Sequence, residues 1–122
     1  MNRLPSGIGK ATAIQLAEKG IHVVVTDRNR RKGQATIQKL RTINPNFNHT
    51  FVLTDVSNKS SIISMYAQTE AHYGRPANII INNAGVFKAI QPFAGFKTLN
   101  SFKWDQAVDI NLKGTFFMTN VR

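Results

Sequence analysis

Apolar residues recur along this chain in alternating periods. Ala11, Ile14 and Ala17 fall at helical spacing, with Ala13 and Leu16 beside them, so a helix is predicted over residues 10–19, ended by Gly20. Residues 21–26 form a near-continuous β-branched run, as expected of a parallel strand buried on both faces. Ile37, Leu40 and Ile43 share one face of a second helix, from Gly33 to about Ile43, and Asn44-Pro45-Asn46 ends it. A short strand follows over residues 50–53, closing on Thr54-Asp55-Val56. Ser57 is placed to cap a third helix from about Lys59 to Tyr73, with Ile62, Ile63 and Tyr66 inward. After Gly74-Arg75-Pro76, residues 78–81 read as another buried strand, ending in Asn82-Asn83-Ala84-Gly85. Residues 86–99 have no clear period, and a long helix is predicted from about Ser101 onward.

Strict alternation of helix and strand predicts an α/β fold with a parallel sheet and helices on both faces. In such sheets ligands bind beyond the carboxyl ends of the strands. Those ends are Asp27, Asp55 and the run Asn82 to Gly85. The 122 residues fit one domain, with no internal repeat or linker. No apolar run approaches the length of a membrane span, and no signal-peptide segment opens the chain, so a cytoplasmic or organelle-lumen protein is expected. Cysteine is absent, which excludes disulfides and thiolate chemistry, and His22, His49 and His72 lack metal-ligand spacing.

Charge adds one question. The net charge is +10, and residues 1–41 hold nine of the sixteen Lys/Arg, densest at Arg28, Arg30, Arg31 and Lys32. That run reads either as attraction to phosphate or as a solvated helix start. No aromatic residues interleave with it and no nucleic-acid recognition motif accompanies it, so a nucleic-acid partner has little beyond charge to support it.

Chemistry gathers at the strand ends. Gly7 and Gly9 form a glycine turn entering a helix, where free N–H groups can hold a pyrophosphate. Asp27 follows Gly9 by 18 residues at a strand end, the place of the carboxylate that bonds a ribose 2′-hydroxyl, or else a surface turn. A carboxylate there repels a 2′-phosphate and favours NAD, whereas Arg28 beside it could receive that phosphate. Asp55 could accept from an adenine amino group or cap the next helix. Asn82 and Asn83 carry amides that need partners, and Ala84-Gly85 leave room for a flat ligand. Trp104, Ala107, Val108, Asn111, Thr115 and Met118 share one helical face by spacing. Asn111 is the anomaly there, and it needs a hydrogen-bond partner in the fold or a water to position.

Taken together, Ser6-Gly7-Ile8-Gly9, Asp27, Asp55-Val56, Asn82-Asn83-Ala84-Gly85, Trp104 and Asn111-Leu112-Lys113-Gly114 resemble, in order and spacing, the short-chain dehydrogenase/reductase family. The resemblance covers the chain from Ser6 onward and implies a Rossmann-like, doubly wound parallel sheet, here incomplete. It implies that Gly7, Ile8 and Gly9 hold the pyrophosphate of NAD (or NADP), that Asp27 sets NAD preference, and that Asp55 and Val56 meet the adenine. It implies that Asn83, Ala84 and Gly85 line the cofactor site and that Asn111 is the catalytic asparagine of a proton relay. Two departures stand out. The family's first strand would precede Met1, with Asn2 and Arg3 where its Thr-Gly begins the glycine loop; its Ser and Tyr-x-x-x-Lys would follow Arg122. Neither Tyr66 nor Tyr73 has a lysine four residues on. The expectation is therefore an N-terminal fragment of an NAD(P)-dependent oxidoreductase that interconverts an alcohol and a carbonyl, inactive by itself, from a homo-oligomeric parent. The alternative is a non-catalytic nucleotide-binding or basic nucleic-acid-associating module. Phe87, Phe93 and Phe96 either line an apolar substrate entry or pack under a loop.

Overall fold

A computed structural model describes residues 7–86 and 101–120. Phe87, Phe93 and Phe96 lie outside them. The element order is α1 (Gly7–Glu18), β1 (Val24–Asp27), α2 (Arg30–Ile43), β2 (Thr50–Leu53), α3 (Lys59–Tyr73), α4 (Ser101–Ala107), a π-helical turn (Val108–Lys113) and α5 (Gly114–Asn120). β1 and β2 pair in parallel, with Val24 opposite Thr50 and Asp27 opposite Leu53. The fold is α/β and Rossmann-like, with a sheet of two strands among the described residues.

Helix starts follow side-chain capping. Asn29 caps α2 by accepting from the Lys32 N–H at 3.0 Å. This draws the helix start back to Arg30 from the expected Gly33. Asn58, not Ser57, caps α3, accepting from the Ser61 N–H at 3.2 Å. An Asn at the N-cap satisfies a backbone donor that the helix cannot. At the other end of α3, Gly74 adopts φ 69° and its N–H closes on the Glu70 carbonyl at 2.8 Å.

Two apolar clusters cover the two faces of the strand pair. Ala13, Ala17, Val23, Ile37 and Leu40 form the first, with Val25 and Phe51 against it. Val52, Ile62, Met65 and Met118 form the second, with Val24, Val56 and Ile80 against it. Successive strand residues therefore point to opposite cores, Val24 to one and Val25 to the other. Gly33 lets α2 lie close to β2: a Cβ there would stand 2.0 Å from the Phe51 ring.

Three expectations are corrected. Residues 78–81 are not a strand, and Ile79 and Ile81 are 69% and 51% exposed. A strand exists only through a neighbour that bonds its backbone, and among the described residues this segment has none. On α3, Ile62 is buried but Ile63 is exposed, and Met65 and Thr69 take the inward face with half-buried Tyr66. On the last helix, the stripe drawn through Trp104 and Asn111 is displaced. Trp104, Asn111 and Thr115 are exposed, while Ile110, Gly114 and Met118 are buried. The π-helical turn fits wider spacing into the helix, so a count at 3.6 residues per turn loses the face there.

No helix among the described residues is long and apolar enough to cross a membrane.

Candidate functional site

β1 and β2 run in the same direction, so their carboxyl ends and the loops after them meet on one edge. A cavity of about 370 Å³ opens there. Gly9, Asp27, Asp55, Val56, Asn83, Ala84 and Gly85 all line it. Seven of the ten expected site residues are thus brought together from four separate stretches of chain. Gly7, Ile8 and Asn111 are not among the lining residues, and Ile8 is 79% exposed.

Contacts between these stretches are close. A Cβ on Gly9 would stand 2.4 Å from Asn83 Nδ2, so the first turn of α1 packs on the Asn83 amide. A Cβ on Gly85 would stand 3.3 Å from Asn111 Oδ1. The absence of side chains at both points lets the Asn83 and Asn111 amides lie close against the backbone.

Each carboxylate commits one oxygen to its own loop. Asp27 Oδ1 accepts from the Asn29 N–H at 2.8 Å. Asp55 Oδ1 accepts from the Ser57 N–H at 2.9 Å and from the Ser57 hydroxyl at 2.6 Å. These bonds fix both carboxylates in place at the start of α2 and α3. Oδ2 of each makes no hydrogen bond among the described residues and remains able to accept from a ligand hydroxyl or amine. Arg28 lines the same cavity beside Asp27. The cavity wall therefore offers a glycine-lined turn, two acceptor carboxylates and one guanidinium.

Asn111 has the partner its sequence context demanded, in a different setting. Its residue is exposed, and its amide clamps one backbone position: Oδ1 accepts from the Val86 N–H at 2.8 Å and Nδ2 donates to the Val86 carbonyl at 3.0 Å. The clamp ties the π-helical turn to the end of the Asn82–Gly85 run.

Periodicity gives no sign of a second polar cluster at the opposite, amino end of the strands. His49 is 1% exposed, and its Nδ1 accepts from the Val23 N–H at 3.2 Å. His22 answers from β1's side, its Nδ1 accepting from the Asn48 N–H at 3.0 Å. The Tyr73 hydroxyl donates to the Asn48 carbonyl, and the Tyr73 ring lies 5.8 Å from that of His22. Burial first, and then the neighbouring His22, lower the His49 pKa from the ordinary 6.5; the Asn44 backbone acts the other way, and Arg41 adds to the lowering. Burial raises the Tyr73 pKa. His49 Nε2 is buried without a hydrogen-bond partner among the described residues. Among the described residues no three His, Asp or Glu side chains gather as a metal site.

The parallel order, the helices on both faces and the cavity at the carboxyl edge define a Rossmann-like α/β fold of the nucleotide-binding kind. Residues 4–121 match the short chain dehydrogenase family, and the chain belongs to that family. It is 34% identical over 116 residues to (2S)-[(R)-hydroxy(phenyl)methyl]succinyl-CoA dehydrogenase subunit BbsD of Thauera aromatica, covering 93% of this chain and 43% of that protein. It is 30% identical over 119 residues to the (3R)-3-hydroxyacyl-CoA dehydrogenase of Homo sapiens, covering 93% and 44%. The crystal structure of levodione reductase superposes with a TM-score of 0.84 at 26% identity, covering 95% of this chain and 44% of that one. The chain thus spans less than half the length of the relatives it matches.

Proposed function

We propose that this chain forms the cofactor-binding part of an NAD(P)-dependent oxidoreductase that interconverts an alcohol and a carbonyl. The observation that carries this reading is the convergence of Gly9, Asp27, Asp55, Val56 and Asn83 to Gly85 on one cavity at the carboxyl edge of the strands. Family membership supports the reaction class. The bound nicotinamide supplies hydride transfer; the protein binds, orients and handles the proton.

The residues take roles by position. Gly7, Ile8 and Gly9 present the free N–H groups of the first turn of α1 to the pyrophosphate. Asp27 Oδ2 accepts from a ribose 2′-hydroxyl, and its charge disfavours a 2′-phosphate. Arg28 beside it opposes that preference, so the balance of the two sets NAD against NADP. Asp55 and Val56 meet the adenine, the carboxylate accepting from the exocyclic amine. Ala84 and Gly85 give a flat wall to the cofactor. Asn111, whose amide is spent on Val86, holds that wall in register with the π-helical turn and so serves the proton relay as a positioning residue. General acid/base transfer needs a proton donor beside the carbonyl. Neither described tyrosine supplies it: the Tyr66 hydroxyl donates to the Met118 carbonyl and that of Tyr73 to Asn48. The 122-residue chain is accordingly inactive as a dehydrogenase by itself.

Cofactor competition tests the assignment. In a protein containing this chain together with the remaining catalytic part, NAD binds more tightly than NADP, and Asp27→Ala narrows the gap. An unchanged affinity ratio contradicts the role given to Asp27.

A further inference from the structure

Between Asp27 and Asp55 the chain has no acidic residue and six cations: Arg28, Arg30, Arg31, Lys32, Lys39 and Arg41. Arg28 lines the cavity already described. The other five stand on α2, and all five are exposed. None of the five belongs to an ion pair among the described residues.

Helical spacing sorts these cations. Gly33, Ile37 and Leu40 are buried and turn the inner face of α2 to α1 and the strands. At about 100° per residue, the ridge opposite them is Arg31, Ala35, Gln38 and Thr42, all exposed. One flank of the ridge carries Lys32 and Lys39. The other carries Arg30 and Arg41, with Gln34 between them. The outer half of α2 is therefore a polar ridge with cations down both sides and no exposed aromatic or large aliphatic side chain.

We propose that this ridge is a docking surface for duplex DNA, seated in the major groove and held by phosphates on both rims. The dimensions agree: the 14-residue helix is about 21 Å long, which spans about six base pairs, and a groove about 12 Å wide admits a helix. Lys32 and Lys39 meet the phosphates of one strand, and Arg30 and Arg41 those of the other. Ala35 keeps the middle of the ridge low, and Gln34 and Gln38 offer amides that bond phosphate or base edges. Other polyanions match the surface less well. An A-form duplex has a deep, narrow major groove that does not admit the ridge. Single strands are held by stacking on aromatic side chains, and α2 has none. A helix on a membrane buries its apolar face in lipid, and that face of α2 is already packed on Ala17 and Val23. An acidic protein partner would need an apolar anchor at the centre of the contact, which the ridge lacks. Of α2, Thr36 alone lines the cavity, so the surface leaves that site free and does not depend on the oxidoreductase reading.

The test is fluorescence anisotropy of the whole 122-residue chain with a labelled DNA duplex about two helical turns long. Five phosphate contacts set the slope of log affinity against log salt at about −4.5, so binding weakens roughly five-hundredfold between about 50 and about 200 mM salt. Lys39→Gln with Arg41→Gln, one cation from each flank, makes the slope shallower by about two. Lys59→Gln with Arg75→Gln removes the same charge from exposed sites off α2 and moves the slope by less than about half a unit. Gln38→Glu keeps every cation, sets a carboxylate on the ridge and weakens binding about tenfold or more. Urea midpoints of the variants stay near that of the wild type, because all these sites are exposed. Equal slope changes in the two paired variants overturn the proposal, as does the absence of salt-dependent duplex binding. So does binding as tight, at equal salt, to the single strand or to phosphatidylserine vesicles.

Discussion

The two ends of the strand pair use polar residues in opposite ways. At the amino end, His49 accepts from the Val23 N–H, while His22 and Tyr73 both bond to the Asn48 backbone, and together they knit the chain before β1 to the loop before β2. At the carboxyl end, Asp27 and Asp55 spend one oxygen each on a loop and keep the other for the cavity they line. The first arrangement is turned inward: its bonds go to backbone, and the one unpartnered atom, His49 Nε2, is buried. The second is fixed but unfinished, with acceptor atoms left over beside a cavity. Polar residues at strand ends are therefore not equivalent, and the difference lies in what their second atoms do.

The amino end should break hardest. His49→Ala leaves the Val23 N–H without its acceptor and empties a fully buried site. The expected loss is about 2–3 kcal/mol, read from the midpoint and slope of urea unfolding. A loss within error of zero would show that the histidine bracket holds nothing.

Acid should act on the same residue. Its folded pKa lies below the ordinary 6.5, so the unfolded chain binds the proton more readily. The contribution of neutral His49 is complete above about 6.5 and is lost as pH falls through the lower folded value. Protonated Nδ1 can no longer accept from Val23. Urea midpoints measured across mildly acid pH should fall in the wild type, with a shallower fall in His49→Ala. Equal slopes would contradict the assignment.

Tyr73→Phe removes one hydroxyl bond at the rim of the bracket and should cost about 1 kcal/mol by the same unfolding measurement. Asp27→Ala, at the other end, should change stability by less than about 1 kcal/mol, since its single bond is at the surface. It should instead alter cofactor choice. A loss as large as that of His49→Ala would make Asp27 structural and erase the contrast.

Much of this was legible in the residues. β2 and α3 fall where alternation and helical spacing put them, because each is specified by local pattern and a nearby cap. The carboxyl-end residues were legible because a strand end in a parallel sheet is a place that chain order alone identifies. The 78–81 segment was misread because its pattern is strand-like but its state depends on a neighbour far away in the chain. The face of the last helix was misread because the π-helical turn changes the period being counted. The histidine bracket was missed for a third reason: Val23 and His49 are 26 residues apart, and nothing in spacing links a buried imidazole to one backbone N–H.

The most direct test is to titrate the isotope-labelled chain with NAD⁺ at millimolar concentration and follow backbone amide shifts. The account predicts the largest changes at Gly9, Asp27, Asp55 and Asn83 to Gly85, with His22, His49 and Tyr73 unmoved. Changes centred on the histidine end, or none at either end, would contradict it.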